Sequence, residues 1–211
     1  MATLDHLVYA TDDLDRTVSH LTALLGVRPS VGGRHVGWGT RNELLSFGDG
    51  TYFEIIGPDL SQPEPDGPRP FDVDRIVGER LVAWAVAVRD IDDVVASAKA
   101  RGYDPGSANA MQRATADGQT LAWRLTTPPL EEFGGCVPFL LDWGVLLGSP
   151  LHPSSTATPG VRLIGLRAAH PEPQRVQHAL AALDVVFDVE RSDTARLIAD
   201  LETPTGRITL S

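Results

Sequence analysis

Polar and apolar residues alternate at the start of the chain in the pattern that predicts a β-strand. Leu4, His6 and Val8 share one face of this strand, because successive side chains point to opposite sides. Two of the three are aliphatic, so we expect this face to lie in the core and His6 to point inward.

An amphipathic helix is predicted directly after this strand. Its buried face is a stripe of aliphatic residues at helical spacing: Leu14, Val18, Leu21 and Leu25. Asp12 and Asp13 can accept hydrogen bonds from the first turn, and their charge suits its positive end. Gly26 is a typical C-terminal stop.

Two strands joined by a tight turn at Gly48-Asp49-Gly50 are predicted at residues 42–47 and 51–56. Glu54 lies within the second strand among apolar neighbours. The glycine-dense residues 32–42 predict a loop between the helix and these strands.

This succession of strand, helix and strands recurs twice further along the chain. The later segments with strand or helix character are residues 81–88, 90–101, 121–125, 137–141, 161–167, 172–183, 197–201 and 208–210. The repetition divides the chain into a first module at 1–58, a Pro-rich linker at 59–79, a second module at 80–145 and a shorter βαββ-like unit at 160–211. One such unit exposes an apolar sheet face, so copies must pair. We expect an α+β fold with curved mixed sheets and helices on the outside.

Composition narrows the possible partners. The formal net charge of −10 repels phosphate backbones, so we expect no nucleic acid partner. Cys136 is the single cysteine, which fits a reducing compartment. No apolar run approaches the roughly 20 residues of a membrane span, and no basic leader precedes the first strand. A cytoplasmic protein without a membrane partner is therefore expected.

His6 and Glu54 are the first candidates for chemistry. An imidazole nitrogen and a carboxylate oxygen suit Zn, Ni, Mn or Fe. A lone buried carboxylate is costly, so Glu54 needs a partner, a metal or a catalytic role as a general base. The alternative for His6 is an interior histidine or one that donates a hydrogen bond to a substrate.

Further candidates lie in the glycine-dense segment and after the second module. The segment carries donors and a flat ring suited to holding a substrate: His35, Trp38, Thr40, Arg41 and Asn42. His152 is the candidate third metal ligand or catalytic imidazole. Asp142 either orients His152, binds substrate or is an ordinary strand-end aspartate.

Several of these segments together resemble the vicinal oxygen chelate superfamily, which includes glyoxalase I, extradiol dioxygenases and bleomycin-resistance proteins. Within it the chain is most similar to the glyoxalase-like domain proteins. The resemblance rests on Leu4-Asp5-His6-Leu7-Val8, Asp12-Asp13-Leu14, Gly32-Gly33-Arg34-His35, Gly39-Thr40-Arg41-Asn42, Gly50-Thr51-Tyr52-Phe53-Glu54, Pro138-Phe139-Leu140-Leu141-Asp142-Trp143 and His152-Pro153.

The resemblance implies βαβββ modules whose curved sheets enclose a cleft, with a divalent ion as the candidate cofactor. In such a site the ligands come from the first and last strands of each module. His6 and Glu54 match the two ligand positions of the first module, with His152 as the candidate addition. The second module offers no matching residue around Ala83-Trp84-Ala85 and at best Asp142 on its last strand.

The leading hypothesis is a glyoxalase-like protein that binds a small oxygenated metabolite in this cleft. It would act as a metal-assisted lyase, isomerase or dioxygenase, with Glu54 and His152 as catalytic residues. The alternative is a non-catalytic protein of the bleomycin-resistance type that binds or sequesters a small molecule. Either form could assemble as a homodimer.

Overall fold

The computed structural model describes residues 2–114, 120–127 and 130–211. The helices are α1 Leu14–Leu25, α2 Ile91–Ala100, α3 Leu130–Phe133, α4 Pro153–Thr156 and α5 Pro173–Ala182. The strands are β1 Thr3–Thr11, β2 Ser30–His35, β3 Thr40–Gly48, β4 Thr51–Pro58, β5 Glu79–Ala87, β6 Ala108–Ala114, β7 Thr120–Thr126, β8 Phe139–Asp142, β9 Arg162–His170, β10 Val189–Arg191, β11 Arg196–Thr203 and β12 Gly206–Leu210. Within the described residues, no helix has the length and apolar character needed to span a bilayer.

Strands β1 to β8 form one curled sheet in the order β2-β3-β4-β1-β5-β8-β7-β6. In each half the first strand lies parallel to the last, β1 beside β4 and β5 beside β8, and β1 pairs antiparallel with β5 at the centre. The curl brings Cα atoms of the two edge strands, β2 and β6, within 8 Å of each other. The prediction of repeated modules with a curved mixed sheet around a cleft is confirmed.

Helix α1 begins and ends where the sequence predicts. The Asp13 side chain accepts a hydrogen bond from the backbone N–H of Arg16 at 3.0 Å. Gly26 adopts the left-handed conformation at φ 73°, which glycine takes without a steric penalty. The predicted apolar stripe is buried throughout: Leu14, Val18, Leu21 and Leu25.

The main core lies outside the curl of the sheet, and the cleft lies inside it. Leu21 of α1, Phe53 of β4 and Leu201 of β11 belong to the same buried cluster on the outer side. Each such side chain stabilises the fold by roughly 1.5–3 kcal/mol through burial. A second cluster covers the inner side and includes Val8, Ile56, Ala85, Phe139 and Leu141. Successive side chains along one strand therefore point alternately into the main core and toward the cleft.

The C-terminal unit forms a separate sheet with the order β10-β9-β11-β12. Its first strand, β9, lies parallel to β10 and antiparallel to β11. This order differs from that of the first two units, in which the first strand lies beside the last. Leu197 and Leu201 pack into the main core, so the third unit covers the outer side of the large sheet.

Residues 59–79, expected as a linker, fold back along the inner side of the sheet. Arg69 Nε donates a hydrogen bond to the carbonyl oxygen of Gly39 at 2.9 Å. A 3₁₀ turn at Pro70–Arg75 follows, with Phe71 in the left-handed region at φ 59°. This conformation is strained for a residue other than glycine. Pro70 and Phe71 of this segment form part of the cleft wall. The Pro-rich composition predicted only a linker.

Candidate functional site

The inner side of the curled sheet encloses a cavity of about 490 Å³. Its wall is mainly apolar, and the aromatic residues that line it are Trp38, Tyr52, Phe71, Trp123, Phe139 and Trp143. The polar lining residues are His6, His35, Asn42, Glu54, Asn109, Thr126 and Thr127. No lysine or arginine from the described part of the chain lines the cavity. A volume of this size, with few polar groups in an apolar wall, is typical of a small-molecule site.

A β-bulge near the start of β1 places the consecutive side chains of Asp5 and His6 on the inner side of the sheet, where His6 lines the cavity and Asp5 lies behind it. Leu4 pairs with Val86 and His6 with Ala85, so Asp5 has no partner residue on β5. Leu4 packs into the outer core, whereas His6 lines the cavity. The prediction that Leu4 and His6 share a face is therefore wrong, because the extra residue shifts the alternation by one position.

Asp5 is buried behind His6 and accepts hydrogen bonds from two directions. Its Oδ1 lies 2.6 Å from His6 Nδ1, and its Oδ2 lies 3.0 Å from Trp143 Nε1 and 3.2 Å from His152 Nε2. Burial raises the pKa of Asp5, but hydrogen bonds from His152 and His6 and the charges of their rings outweigh it and lower the pKa to about 2. Asp5 is therefore a carboxylate at neutral pH.

His6 is held between aromatic rings and lies beside Glu54. Tyr52 stacks on it with ring centroids 4.5 Å apart, and Phe139 meets it edge-on at 5.5 Å. His6 Nε2 lies 3.5 Å from Glu54 Oε2. The two side chains come from the adjacent parallel strands β1 and β4, so the structure brings together the pair that the sequence singled out.

Glu54 is buried and oriented by its neighbour on β3. Asn42 Nδ2 donates to Glu54 Oε1, and Asn42 Oδ1 accepts from the backbone N–H of Gly33 at 2.7 Å. The Gly33 bond fixes which end of the amide faces Glu54. A Cβ atom on Gly32 would lie 2.2 Å from Asn42 Oδ1, so this packing requires glycine at position 32. Gly32 and Gly33 therefore allow Asn42 to keep the orientation in which it donates to Glu54.

His152 lies on the far side of Asp5 from His6, and both of its ring nitrogens are engaged. Nε2 bonds to Asp5, and Nδ1 lies 2.8 Å from Ser154 Oγ and accepts from the Ser154 backbone N–H. The residue is 1% exposed and caps the short helix α4. Its neighbour Pro153 lines the cavity. His152 therefore contacts Asp5 on the side away from His6, and its role as a ligand or catalytic group stays a prediction.

The predicted loop at residues 32–42 is instead largely a hairpin of β2 and β3, with a turn between His35 and Thr40. His35, Trp38 and Asn42 line the cavity. Thr40 lies behind them, with its hydroxyl 2.9 Å from His35 Nδ1. The glycines of this segment predicted a loop, but Gly32 lies in the edge strand β2. Glycine is needed there because the Asn42 side chain packs closely against the backbone.

Two further candidates lie outside the cavity lining. Arg41 points away from Asn42, its neighbour on the strand, and pairs with Asp15 of α1 at 2.8 Å. Asp142 accepts hydrogen bonds from the backbone N–H groups of Gly144 at 2.8 Å and Ile91 at 3.3 Å. It therefore fixes the end of β8 to the start of α2.

Sequence reasoning missed Asp5, Phe71, Trp123 and Trp143 as parts of the site. Strict alternation places Asp5 opposite His6, and nothing in the local sequence identifies the bulge that overrides it. Trp143 lies 138 positions from Asp5, so only the pairing of the two modules brings them into contact. The acidic residue directly before the strand histidine was the one available signal.

The donor set does not fit a resident divalent ion. Across residues 2–114, 120–127 and 130–211, no group of three His, Cys, Asp or Glu side chains could hold one. His6 and Glu54 supply two donors, and the second module places the apolar side chains of Ala85 and Phe139 beside His6. Metal sites in enzymes usually have at least three protein ligands. His152 does not complete the set, because its nitrogens are bonded to Asp5 and Ser154.

A family model described as a glyoxalase-like domain matches residues 4–183. A hypothetical protein from Staphylococcus aureus is similar in structure, with a TM-score of 0.65 and 18% identity over 99% of this chain and 84% of that one. At this identity the likeness shows the fold alone.

Weaker structural matches include two methylmalonyl-CoA epimerases. The enzyme from Mycobacterium tuberculosis has a TM-score of 0.43 and 20% identity over 67% of this chain and 87% of that one. A Streptomyces coelicolor epimerase in complex with 2-nitronate-propionyl-CoA has a TM-score of 0.43 and 20% identity over 66% and 95% of the two chains. No curated protein sequence matches the chain.

Proposed function

The chain belongs to the glyoxalase-like domain family of the vicinal oxygen chelate superfamily, and we propose that it binds a small, flat, uncharged oxygenated molecule and moves a proton on it. One observation carries this proposal. The buried carboxylate of Glu54 lies 3.5 Å from His6 Nε2 in the wall of an aromatic cavity. A carboxylate and an imidazole in contact are a common general acid–base pair.

The cavity wall supports an uncharged ligand. Its aromatic side chains offer flat surfaces for a planar molecule. An anionic group would meet Glu54 there without a lysine or arginine from the described lining to offset it. The net charge of −10 also repels anions at longer range. The polar groups are few and can hold a carbonyl or hydroxyl oxygen.

In this proposal Glu54 Oε2 acts as the base. Asn42 occupies Oε1, so Oε2 remains on the side of His6. In the proposed step Oε2 takes a proton from a carbon beside a carbonyl group. The electron pair of the broken C–H bond moves toward the carbonyl oxygen and forms an enolate. The proton then returns to the same carbon, whose configuration or hydrogen isotope can change in the process, with His6 close enough to exchange the proton with Glu54.

The metal-assisted lyase and dioxygenase forms of the sequence hypothesis need a further protein ligand. The described residues supply His6 and Glu54 alone at this position. A non-catalytic binding or sequestering protein is the second candidate. It is favoured by the apolar side chains of Ala85 and Phe139 at the strand positions that face the pair from the second module.

The test uses two fluorescent probes that share one skeleton. N-phenyl-1-naphthylamine is uncharged, and 8-anilinonaphthalene-1-sulfonate adds an anionic group. We expect the uncharged probe to bind and the sulfonate to bind at least tenfold more weakly. If neither the uncharged probe nor any flat ketone binds, the proposal is refuted.

Proton transfer is tested with 2-indanone, a flat ketone with acidic C–H bonds. Exchange of these hydrogens in deuterium oxide is followed by NMR with wild-type protein and with Glu54→Gln, which keeps the size of the side chain. Asp188→Asn, a change of an exposed carboxylate in the third unit, is the matched control. Exchange that depends on Glu54 supports the enzyme. Binding of the ketone without such exchange assigns the protein to the sequestering class.

A further inference from the structure

Asp5 connects His6 to the second half of the molecule, and its two oxygens face different donors. We propose that Asp5 is a positioning residue that keeps a proton on His6 Nδ1, so that His6 Nε2, the nitrogen facing Glu54, carries the lone pair of the neutral ring. The catalytic meaning of this arrangement rests on the proposed proton transfer. The arrangement itself follows from the hydrogen bonds and can be tested without a substrate.

The groups around Oδ2 of Asp5 are hydrogen-bond donors, so this oxygen must act as an acceptor. The indole Nε1 of Trp143 can only donate a hydrogen bond, and it lies 3.0 Å from Oδ2. His152 Nδ1 accepts from the backbone N–H of Ser154, so the proton of a neutral His152 is on Nε2, 3.2 Å from Asp5 Oδ2. Two donors therefore converge on this oxygen.

The Oδ1 side of Asp5 decides the state of His6. A carboxylate is acceptor-only, so the contact of 2.6 Å between Oδ1 and His6 Nδ1 requires the proton on Nδ1. Tyr52 and Phe139 pack against the His6 ring and hold its orientation. The unprotonated nitrogen of a neutral His6 is then Nε2, which lies 3.5 Å from Glu54 Oε2.

Asp5→Asn gives a specific expectation, because an amide has one acceptor end and one donor end. Trp143 and His152 both donate to the Oδ2 position, so the amide oxygen takes that place. The NH₂ group then faces His6 Nδ1 and forces it to become an acceptor. The proton of a neutral His6 moves to Nε2, and Nε2 no longer presents a lone pair beside Glu54.

The test is ¹⁵N NMR of ring-labelled histidine, in which protonated and unprotonated ring nitrogens resonate in separate regions. We expect His6 Nδ1 to be protonated in the wild type and unprotonated in Asp5→Asn. Asp188→Asn is the control for the loss of one carboxylate and should leave the His6 signals unchanged. An unprotonated Nδ1 in the wild type, or a protonated Nδ1 in Asp5→Asn, overturns the proposal. If Asp5→Asn fails to fold, the wild-type spectrum alone decides.

The functional consequence is measured separately. Exchange of 2-indanone hydrogens should fall by at least tenfold in Asp5→Asn, because His6 can no longer take a proton from Glu54 on Nε2, although Glu54 itself is intact. Binding of N-phenyl-1-naphthylamine should change less than threefold, because the cavity wall is intact. A tautomer change in a protein without exchange activity would support the positioning role of Asp5 and contradict only the proposed reaction.

Discussion

Replacing Asp5 by asparagine should alter how the stability of the fold depends on pH. Asp5 is buried, and hydrogen bonds from His152 and His6, together with the charges of the two rings, outweigh burial and lower its pKa in the folded chain. A carboxyl whose folded pKa is depressed stabilises the fold above its unfolded pKa. The stabilisation is lost as the pH falls toward and through the folded pKa. Asparagine does not titrate, so the variant lacks this dependence.

The magnitude follows from the two pKa values of Asp5, which are about 2 in the fold and 3.8 as the ordinary value. At about 1.36 kcal/mol for each pKa unit, the difference corresponds to about 2.4 kcal/mol of stability at neutral pH. Most of this stabilisation is lost at pH values below the ordinary pKa of 3.8. Between about pH 5 and pH 3 the stabilisation by Asp5 therefore falls by roughly 1 kcal/mol. The free energy of unfolding of the wild type should fall by that much more than that of Asp5→Asn over this range.

Urea unfolding at several pH values between about 5 and 3 measures this difference, with the midpoint and slope fitted at each pH. Asp188→Asn, which removes an exposed carboxylate, serves as the control and should track the wild type. The reasoning is refuted if the stability gap between wild type and Asp5→Asn stays constant across this range. That result would mean that Asp5 is not a hydrogen-bonded carboxylate in the fold.

Two further predictions address the other contacts of the pair. Gly32→Ala should destabilise the fold by about 1–3 kcal/mol in urea unfolding and abolish Glu54-dependent exchange, because its Cβ would displace Asn42; unchanged exchange would show that Asn42 does not position Glu54. Addition of Zn²⁺, Ni²⁺, Mn²⁺ or Fe²⁺ should raise the Tm of the wild type no more than that of Glu54→Gln in scanning calorimetry, because two donors are too few for tight binding. A rise specific to the wild type would reveal a ligand set that the described residues do not show.

The general fold could be predicted because its signals are local and repeated. Helix α1 carries its cap, its apolar stripe and its stop within one short segment, and all three lie where the pattern placed them. The recurrence of strand, helix and strands indicated paired modules, and the sheet order confirms this pairing. The third unit was harder to predict, because strand order depends on which edges meet and not on the pattern within each strand.

The site could be predicted only in part, because its geometry depends on departures from regular patterns. His6 and Glu54 stood out as polar residues within apolar strands, and they lie in contact. Asp5 did not, because a bulge reverses the side to which it points. The glycines at positions 32 and 33 were assigned to a loop, since glycine alone does not distinguish a turn from a strand that must pass close to another side chain.

The two halves of the sheet contribute unequally to the site, and this asymmetry determines where its chemistry can lie. The first module supplies His6 and Glu54, whereas the facing positions of the second module are Ala85 and Phe139. The second module cannot bring a matching ligand to the pair, but its Trp143 reaches Asp5 behind His6. A site in which one half carries the polar pair and the other half fixes its orientation needs a rigid junction between β1 and β5. The bulge at Asp5 lies in that junction, so the backbone irregularity between the two modules is also what brings Asp5 beside both His6 and Trp143.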